Sequence, residues 1–220
     1  MSLLAKLRLV FSLGQGIKSL THGLTEKEAG LDPFRLFSEW FQHAKTSGVA
    51  LPEAMTLATA SKDGAPSARI VLLKSFDPRG FIFYTNYDSR KCRDLEENPC
   101  AALICHWTVL QRQVRIEGRV ERTSREESTE YFRTRPRGSQ IGAWASTQSA
   151  SLDSYDQLVR RAMEFEQNFK GQDVPLPPFW GGYIVKPTRI EFWQGRANRL
   201  HDRLLYEREG SDWKVTRLNP

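Results

Sequence analysis

Two turn tetrapeptides, Ser61-Lys62-Asp63-Gly64 and Asp77-Pro78-Arg79-Gly80, divide the stretch from Ala54 to Thr85 into apolar runs too short for helices. The runs are residues 54–60, 67–76 and 81–85, and turns this tight permit only antiparallel neighbours. Further strands are expected at 101–107, 112–123, 183–185, 189–193, 204–207 and 213–216. Many short strands with helices inserted between them make the fold class mainly β: an antiparallel barrel with peripheral helices.

The inserted helices carry their own signals. Asp32-Pro33 opens one through Lys45, with Phe34, Phe37, Trp40 and Phe41 on one face. Ser89 is placed to cap a short helix that ends before Pro99. Ser124 with Glu127 forms a capping box for a helix running to about Arg135, where Pro136 stops it. A longer helix fits 153–170 ahead of Gly171, and Pro175, Pro177 and Pro178 make a rigid connector. The stretch 137–144 is rich in small residues, which argues against an ordinary helix there.

Composition narrows the class. No apolar run reaches the roughly 20 residues that a membrane-spanning helix needs. The formal net charge of +6 is concentrated at the start, where Lys6, Arg8 and Lys18 appear without an acid; the remainder is close to balance. A nucleic-acid module would therefore rest on the isoelectric point alone. Cys92, Cys100 and Cys105 form no C-x-x-C pair and leave an odd thiol, which suits a reducing compartment. The four histidines lack metal-ligand spacing. The cytoplasm is the expected location, and the basic start leaves an organelle signal open.

Four clusters carry chemistry. Arg69-Ile70-Val71-Leu72-Leu73-Lys74 is a strand with a cation at each end. In a regular strand those cations face opposite ways, so they serve different ligands unless a bulge unites them; two solvent-facing strand ends would read the same. Ser89-Arg90-Lys91 follows Tyr84-Thr85-Asn86 at a helix start, where cations oppose the dipole and a bound phosphate would explain them. Two solvated side chains would explain them too. Tyr131 and Arg135 share a helix face and, with Ser139, suit an anion, although an exposed pair would also fit. The last cluster is Glu191-Phe192-Trp193-Gln194 followed by Arg199-Leu200-His201-Asp202-Arg203. No dinucleotide-binding glycine fingerprint or Walker loop is present.

With Gln113, Gln148-Ser149 and Ser139-Gln140-Ile141-Gly142-Ala143 added, these strings resemble the pyridoxine/pyridoxamine 5'-phosphate oxidase family from Asp32 to the end. The resemblance implies an FMN-binding split β-barrel over 31–220 behind an N-terminal segment of 1–30, and a homodimer with flavin sites at the interface. It implies oxidation of pyridoxine and pyridoxamine 5'-phosphates by dioxygen, without metal, nucleic acid or membrane. Arg69, Ser89, Arg90 and Lys91 would hold the flavin phosphate. Ile70, Val71, Leu72, Leu73, Lys74, Tyr84, Thr85, Gln113, Gln148, Ser149, Trp193 and Arg203 would line the rest. Lys74, Tyr131, Arg135 and Ser139 would hold the substrate phosphate, with Arg199, Leu200 and His201 over the ring and Arg199 and His201 catalytic. A flavin split barrel with another substrate is the alternative. One stretch departs from the family: Gly16-Ile17-Lys18-Ser19-Leu20 stands where members often carry Arg-x-x-Tyr.

Overall fold

The computed structural model describes residues 23–220; the basic start and the Gly16-Ile17-Lys18-Ser19-Leu20 stretch lie outside the described residues. The first half runs α1 (Glu26–Ala29), α2 (Pro33–Thr46), β1 (Ala54–Ala60), β2 (Pro66–Leu72), β3 (Ser75–Asp77), β4 (Gly80–Asn86), α3 (Arg90–Glu97) and β5 (Cys100–Trp107). Then follow β6 (Arg112–Arg122), α4 (Arg125–Thr134), α5 (Arg137–Ala145), α6 (Tyr155–Asn168), β7 (Trp180–Gln194), β8 (Asp202–Glu209) and β9 (Asp212–Arg217). The strands form one nine-stranded sheet in the order β2-β1-β5-β6-β7-β4-β3, with β8 on β7 and β9 on β8. Every pairing is antiparallel. Strand β7 gives its first half to β4 and its second half to β8. That fork curls the sheet into the expected split barrel.

Helix α2 plugs the curl. Asp32 accepts from the amides of Phe34 and Arg35 at 2.9 and 3.2 Å, and Pro33 occupies the first turn, where its missing N–H costs nothing. The stripe Phe34, Phe37, Trp40 and Phe41 is buried, as its spacing predicts. Phe37 meets Phe76 and Phe81 edge-on at 4.8 and 4.9 Å between ring centroids. A second, smaller core of Phe132, Ile141, Val174, Leu176 and Trp180 binds α4 and α5 to the proline connector. Two guanidiniums lock this subdomain through backbone carbonyls: Arg125 donates to Leu176, Pro177 and Trp180, and Arg137 donates to Phe169 and Gln172.

Four sequence expectations need correction. Residues 67–76 are not one strand: β2 ends at Leu72, then Leu73 N bonds Glu53 O and Lys74 N bonds Ile82 O, each at 2.9 Å. The chain there leaves one half of the sheet for the other. Residues 183–185 and 189–193 belong to a single strand, because Pro187 sits opposite Gly118 at a register shift that needs no ladder bond from it. The stretch 137–144 is helical after all, since burial of Gln140, Ile141 and Ala145 outweighs the weak propensity of its glycines. Arg135 is not inside a helix: it is the C-cap of α4, with extended backbone.

At the register shift, a Cβ on Gly118 would stand 2.0 Å from the Lys186 carbonyl oxygen. Neither backbone can yield without breaking the β6–β7 ladder. Gly118→Ala should therefore lose about 2 kcal/mol or more of stability. A urea midpoint unchanged from wild type would show that the fork is looser than described.

Candidate functional site

The break between β2 and β3 opens a cleft of about 780 Å³ against β4, α3, α4 and α5. Its lining includes Arg69, Ile70, Val71, Leu72, Lys74, Tyr84, Thr85, Arg90, Lys91, Tyr131, Arg135, Ser139, Gln148 and Ser149. Arg69 and Lys74 thus share one cleft: the strand break, rather than a bulge, overrides their opposite parity. Leu73 is expected in the site but is 5% exposed within the main core and does not line the cleft.

At one end, Arg69 donates to Thr59 Oγ1 at 2.7 Å, Ser67 Oγ at 2.8 Å and Leu57 O at 3.3 Å. Asp94 stands 3.6 Å from it and accepts from Thr59 at 2.6 Å. Burial holds the Arg69 pKa below its usual value, and the nearby Arg90 adds to that. Lys91 is buried, and its ammonium donates to Ser89 Oγ at 2.9 Å, Gln148 Oε1 at 2.9 Å and Thr85 Oγ1 at 3.0 Å. All three partners are neutral, so burial pushes the Lys91 pKa down. Ser89 sits at the cap position of α3, as expected, yet its side chain makes no cap bond; it serves Lys91 and Cys92 instead. The Cys92 and Arg93 amides bond the Ser89 carbonyl, so the Arg90 and Lys91 amides open α3 without a side-chain cap, at a terminus that favours anions. Among the described residues, Asp94 is the carboxylate paired with these cations.

At the other end, Tyr84, Tyr131 and Trp180 stack almost parallel. Ring centroids are 4.0 Å apart for Tyr84 and Tyr131, 5.6 Å for Tyr84 and Trp180, and 6.2 Å for Tyr131 and Trp180. Gly182 permits this, since a Cβ there would meet Tyr84 Cε1 at 2.7 Å. Burial raises the Tyr84 pKa to about 12. The Arg135 guanidinium lies 4.6 Å over the Trp180 ring, and Lys74 Nζ is 5.8 Å from the Tyr131 ring centre. Arg135 Nη1 is buried and has no hydrogen-bond partner among the described residues. Such orphaned donors are rare in folded proteins and mark a missing acceptor. Gln140 fixes this end by donating to the carbonyls of Phe132 and Arg133 at the end of α4.

The remaining expected residues gather elsewhere. Gln113, Trp193 and Arg203 stand in one row across β6, β7 and β8. Trp193 and His201 are in ring contact at 4.6 Å. His201 Nδ1 accepts from the Arg196 amide at 3.1 Å, so the neutral imidazole carries its proton on Nε2. Arg203 is paired with the buried Glu191 at 2.8 Å. Asn198 and Arg199 have left-handed backbones, φ 56° and 60°, which non-glycine residues adopt only under constraint. Gln113, Trp193, Arg199, Leu200, His201 and Arg203 do not line the cleft of their own chain.

Sequence reading missed Thr59, Ser67 and Asp94, which aim Arg69, and Trp180, which underlies Arg135. Ser67 could have been found from strand alternation, being two residues from Arg69 on one face of β2, whereas Thr59 and Asp94 come to it only through the β1–β2 register and the packing of α3.

Comparison with known proteins places these residues in context. Residues 42–169 match the profile of the family described as Pyridoxamine 5'-phosphate oxidase. Residues 180–220 match that of the Pyridoxine 5'-phosphate oxidase C-terminal dimerisation region. The chain is similar to a pyridoxine/pyridoxamine 5'-phosphate oxidase of Rubrobacter xylanophilus, 61% identical over 90% of this chain and 91% of that one. It is 53% identical to one of Psychromonas ingrahamii over the whole of both chains. Among solved structures it resembles PhzG from Burkholderia lata 383, in complex with tetrahydrophenazine-1-carboxylic acid. The TM-score is 0.86 at 34% identity, covering 92% of this chain and 100% of that one.

Proposed function

This chain belongs to the pyridoxine/pyridoxamine 5'-phosphate oxidase family of oxidoreductases, and we propose that it oxidises pyridoxine 5'-phosphate and pyridoxamine 5'-phosphate to pyridoxal 5'-phosphate with FMN as cofactor. The observation that carries this reading is the buried Arg135 Nη1, which has no hydrogen-bond partner among the described residues, in a cleft that a second set of cations, Arg69, Arg90 and Lys91, also lines. Each end has more positive charge than its surroundings balance, and a phosphate ester fits each.

Arg69, Arg90 and Lys91 would hold the flavin phosphate, with Ser89 orienting Lys91 and the α3 amides adding donors. Tyr84, Thr85, Gln148, Ser149 and the β2 segment 70–72 would flank the rest of the cofactor. When bound, FMN supplies the two-electron acceptor, with dioxygen as terminal oxidant and hydrogen peroxide as product; the amine substrate also consumes water and releases ammonia. Lys74, Tyr131, Arg135 and Ser139 would fix the substrate phosphate. Two anchored phosphates leave the reacting carbon little freedom, which makes the transfer effectively unimolecular.

Arg199 and His201 would come from a second copy of the chain, because they do not line the cleft of their own. The match of residues 180–220 to a dimerisation region supports a homodimer. His201 would act as an Nε2–H donor to the substrate ring, since its Nδ1 is committed to the Arg196 amide. Arg199 would add a charged donor on the same ring. No described helix is long and apolar enough to cross a membrane. The similar proteins named above are bacterial, which supports the cytoplasm and gives the organelle reading no support.

The likeness to PhzG favours one second reading, a flavin barrel with a substrate other than a vitamin phosphate. Turnover separates the two. The holoenzyme should use pyridoxamine 5'-phosphate with kcat/KM at least roughly 100-fold above pyridoxamine, as two or more charged hydrogen bonds would give. Equal rates on both would reject the assignment of the Arg135 end to a phosphate.

A further inference from the structure

The acid inside Arg199-Leu200-His201-Asp202-Arg203 is not among the residues that line the cleft. Asp202 instead accepts from Arg217 Nη1 at 2.8 Å and from the Leu24 amide at 3.1 Å, and stands 3.7 Å from Arg196 Nε. Arg217, on the last strand, donates to both Glu26 carboxylate oxygens at 2.7 and 2.9 Å and to the Leu24 carbonyl at 2.8 Å. One acid and one base from the C-terminal region thus take both backbone polar groups of Leu24, its N–H and its C=O, while its side chain is buried in the main core. Glu26, held by Arg217, has its pKa lowered to about 2, so the pair is charged across the neutral range.

Asp202 is also the base of a strained loop. It opens β8 opposite Gln194 of β7, and between these two the chain carries the left-handed Asn198 and Arg199. Strained residues persist only where their surroundings over-determine them. Within the loop the Arg196 amide donates to His201 and the Leu200 amide to the Ala197 carbonyl, and at its entry the Gly195 amide donates to the Gln111 carbonyl; at its exit the Asp202 carboxylate ties the loop to the Leu24 segment.

We infer that Asp202 is a positioning residue, and that Asp202, Arg217 and Glu26 form a clasp holding the Arg199–His201 loop in working geometry against the Gly23–Ala29 segment. This rests on the proposed roles of Arg199 and His201, and its test separates the two. Asp202→Asn, Arg217→Met and the double variant are to be compared with wild type as holoenzymes, well below their unfolding temperatures. Amide hydrogen exchange across residues 195–201 should accelerate in each. The kcat on pyridoxamine 5'-phosphate should fall roughly 10-fold, with KM and FMN affinity within about twofold of wild type. The double variant should be no worse than the weaker single one, because both break the same unit.

Unchanged exchange at residues 195–201 would overturn the clasp whatever the activity does. Additive losses, or losses that track only FMN release, would overturn it as well. Faster exchange with undiminished kcat would leave the clasp standing as structure but reject its positioning role. Arg199→Ala serves as the control: if that variant keeps full turnover, the fault lies with the functional reading of the loop.

Discussion

Arg135→Met raises KM for pyridoxamine 5'-phosphate roughly 100-fold, corresponding to about 3 kcal/mol of lost charged hydrogen bonding. FMN affinity should hold, because the cations assigned to its phosphate are Arg69, Arg90 and Lys91. The apo protein is not weakened in proportion. The guanidinium is half-buried, burial lowers its pKa, and one of its nitrogens has no partner among the described residues. Removing that charge relieves desolvation while Met keeps most of the packing on Trp180. The lost cation–π contact at 4.6 Å offsets part of the gain, so apo stability should stay level or rise by up to about 1 kcal/mol. A site kept for function at the expense of stability behaves this way. Urea unfolding of apo protein, beside steady-state kinetics, checks both halves. A large loss of apo stability with KM unmoved would mean that Arg135 is a structural residue.

Lys91→Met has the complementary effect. FMN affinity should drop at least roughly 100-fold, as expected on losing a buried ammonium from a phosphate site. KM for the substrate ester, measured at saturating FMN, should change little. The reaction of this site to pH has a definite sign. Burial lowers the Lys91 pKa in the folded apo protein, so the unfolded chain holds its proton more tightly. Apo stability therefore rises with pH between the depressed folded value and the ordinary lysine value. A phosphate beside the ammonium favours its charged form, so FMN binding takes up a proton in that window and weakens as pH rises through it. Fluorescence titration of FMN across alkaline pH tests this: wild type should show the decline, and Lys91→Met should be flat there. A decline of equal size in both would assign it to another group.

Local signals in the sequence located most of the elements. The capping box at Ser124 and Glu127, the Asp32 cap and the aromatic stripe of α2 are all contained within a few residues of chain, and all appear as read. The failures have a common cause, which is tertiary pairing. Nothing local reveals that Leu73 and Lys74 change hydrogen-bonding partners, that Pro187 rides through β7 opposite Gly118, or that burial of Ile141 makes a helix of a small-residue stretch. The site follows the same division. Arg69, Arg90, Lys91, Tyr131 and Arg135 stand in recognisable strings, whereas Asp94 and Trp180 act across folds of the chain. Asp202 lay in plain view within its motif, but its partners Leu24 and Arg217 are far away in sequence.

Two sets of cations, each for a different phosphate, are the core of this account. Equilibrium binding of FMN, and of pyridoxal 5'-phosphate at saturating FMN, should be measured on Lys91→Met and Arg135→Met side by side. Lys91→Met should lose FMN and keep the pyridine phosphate, while Arg135→Met should do the reverse. If both variants lose the same ligand, or either loses both equally, the cleft holds a single phosphate site and the account is wrong.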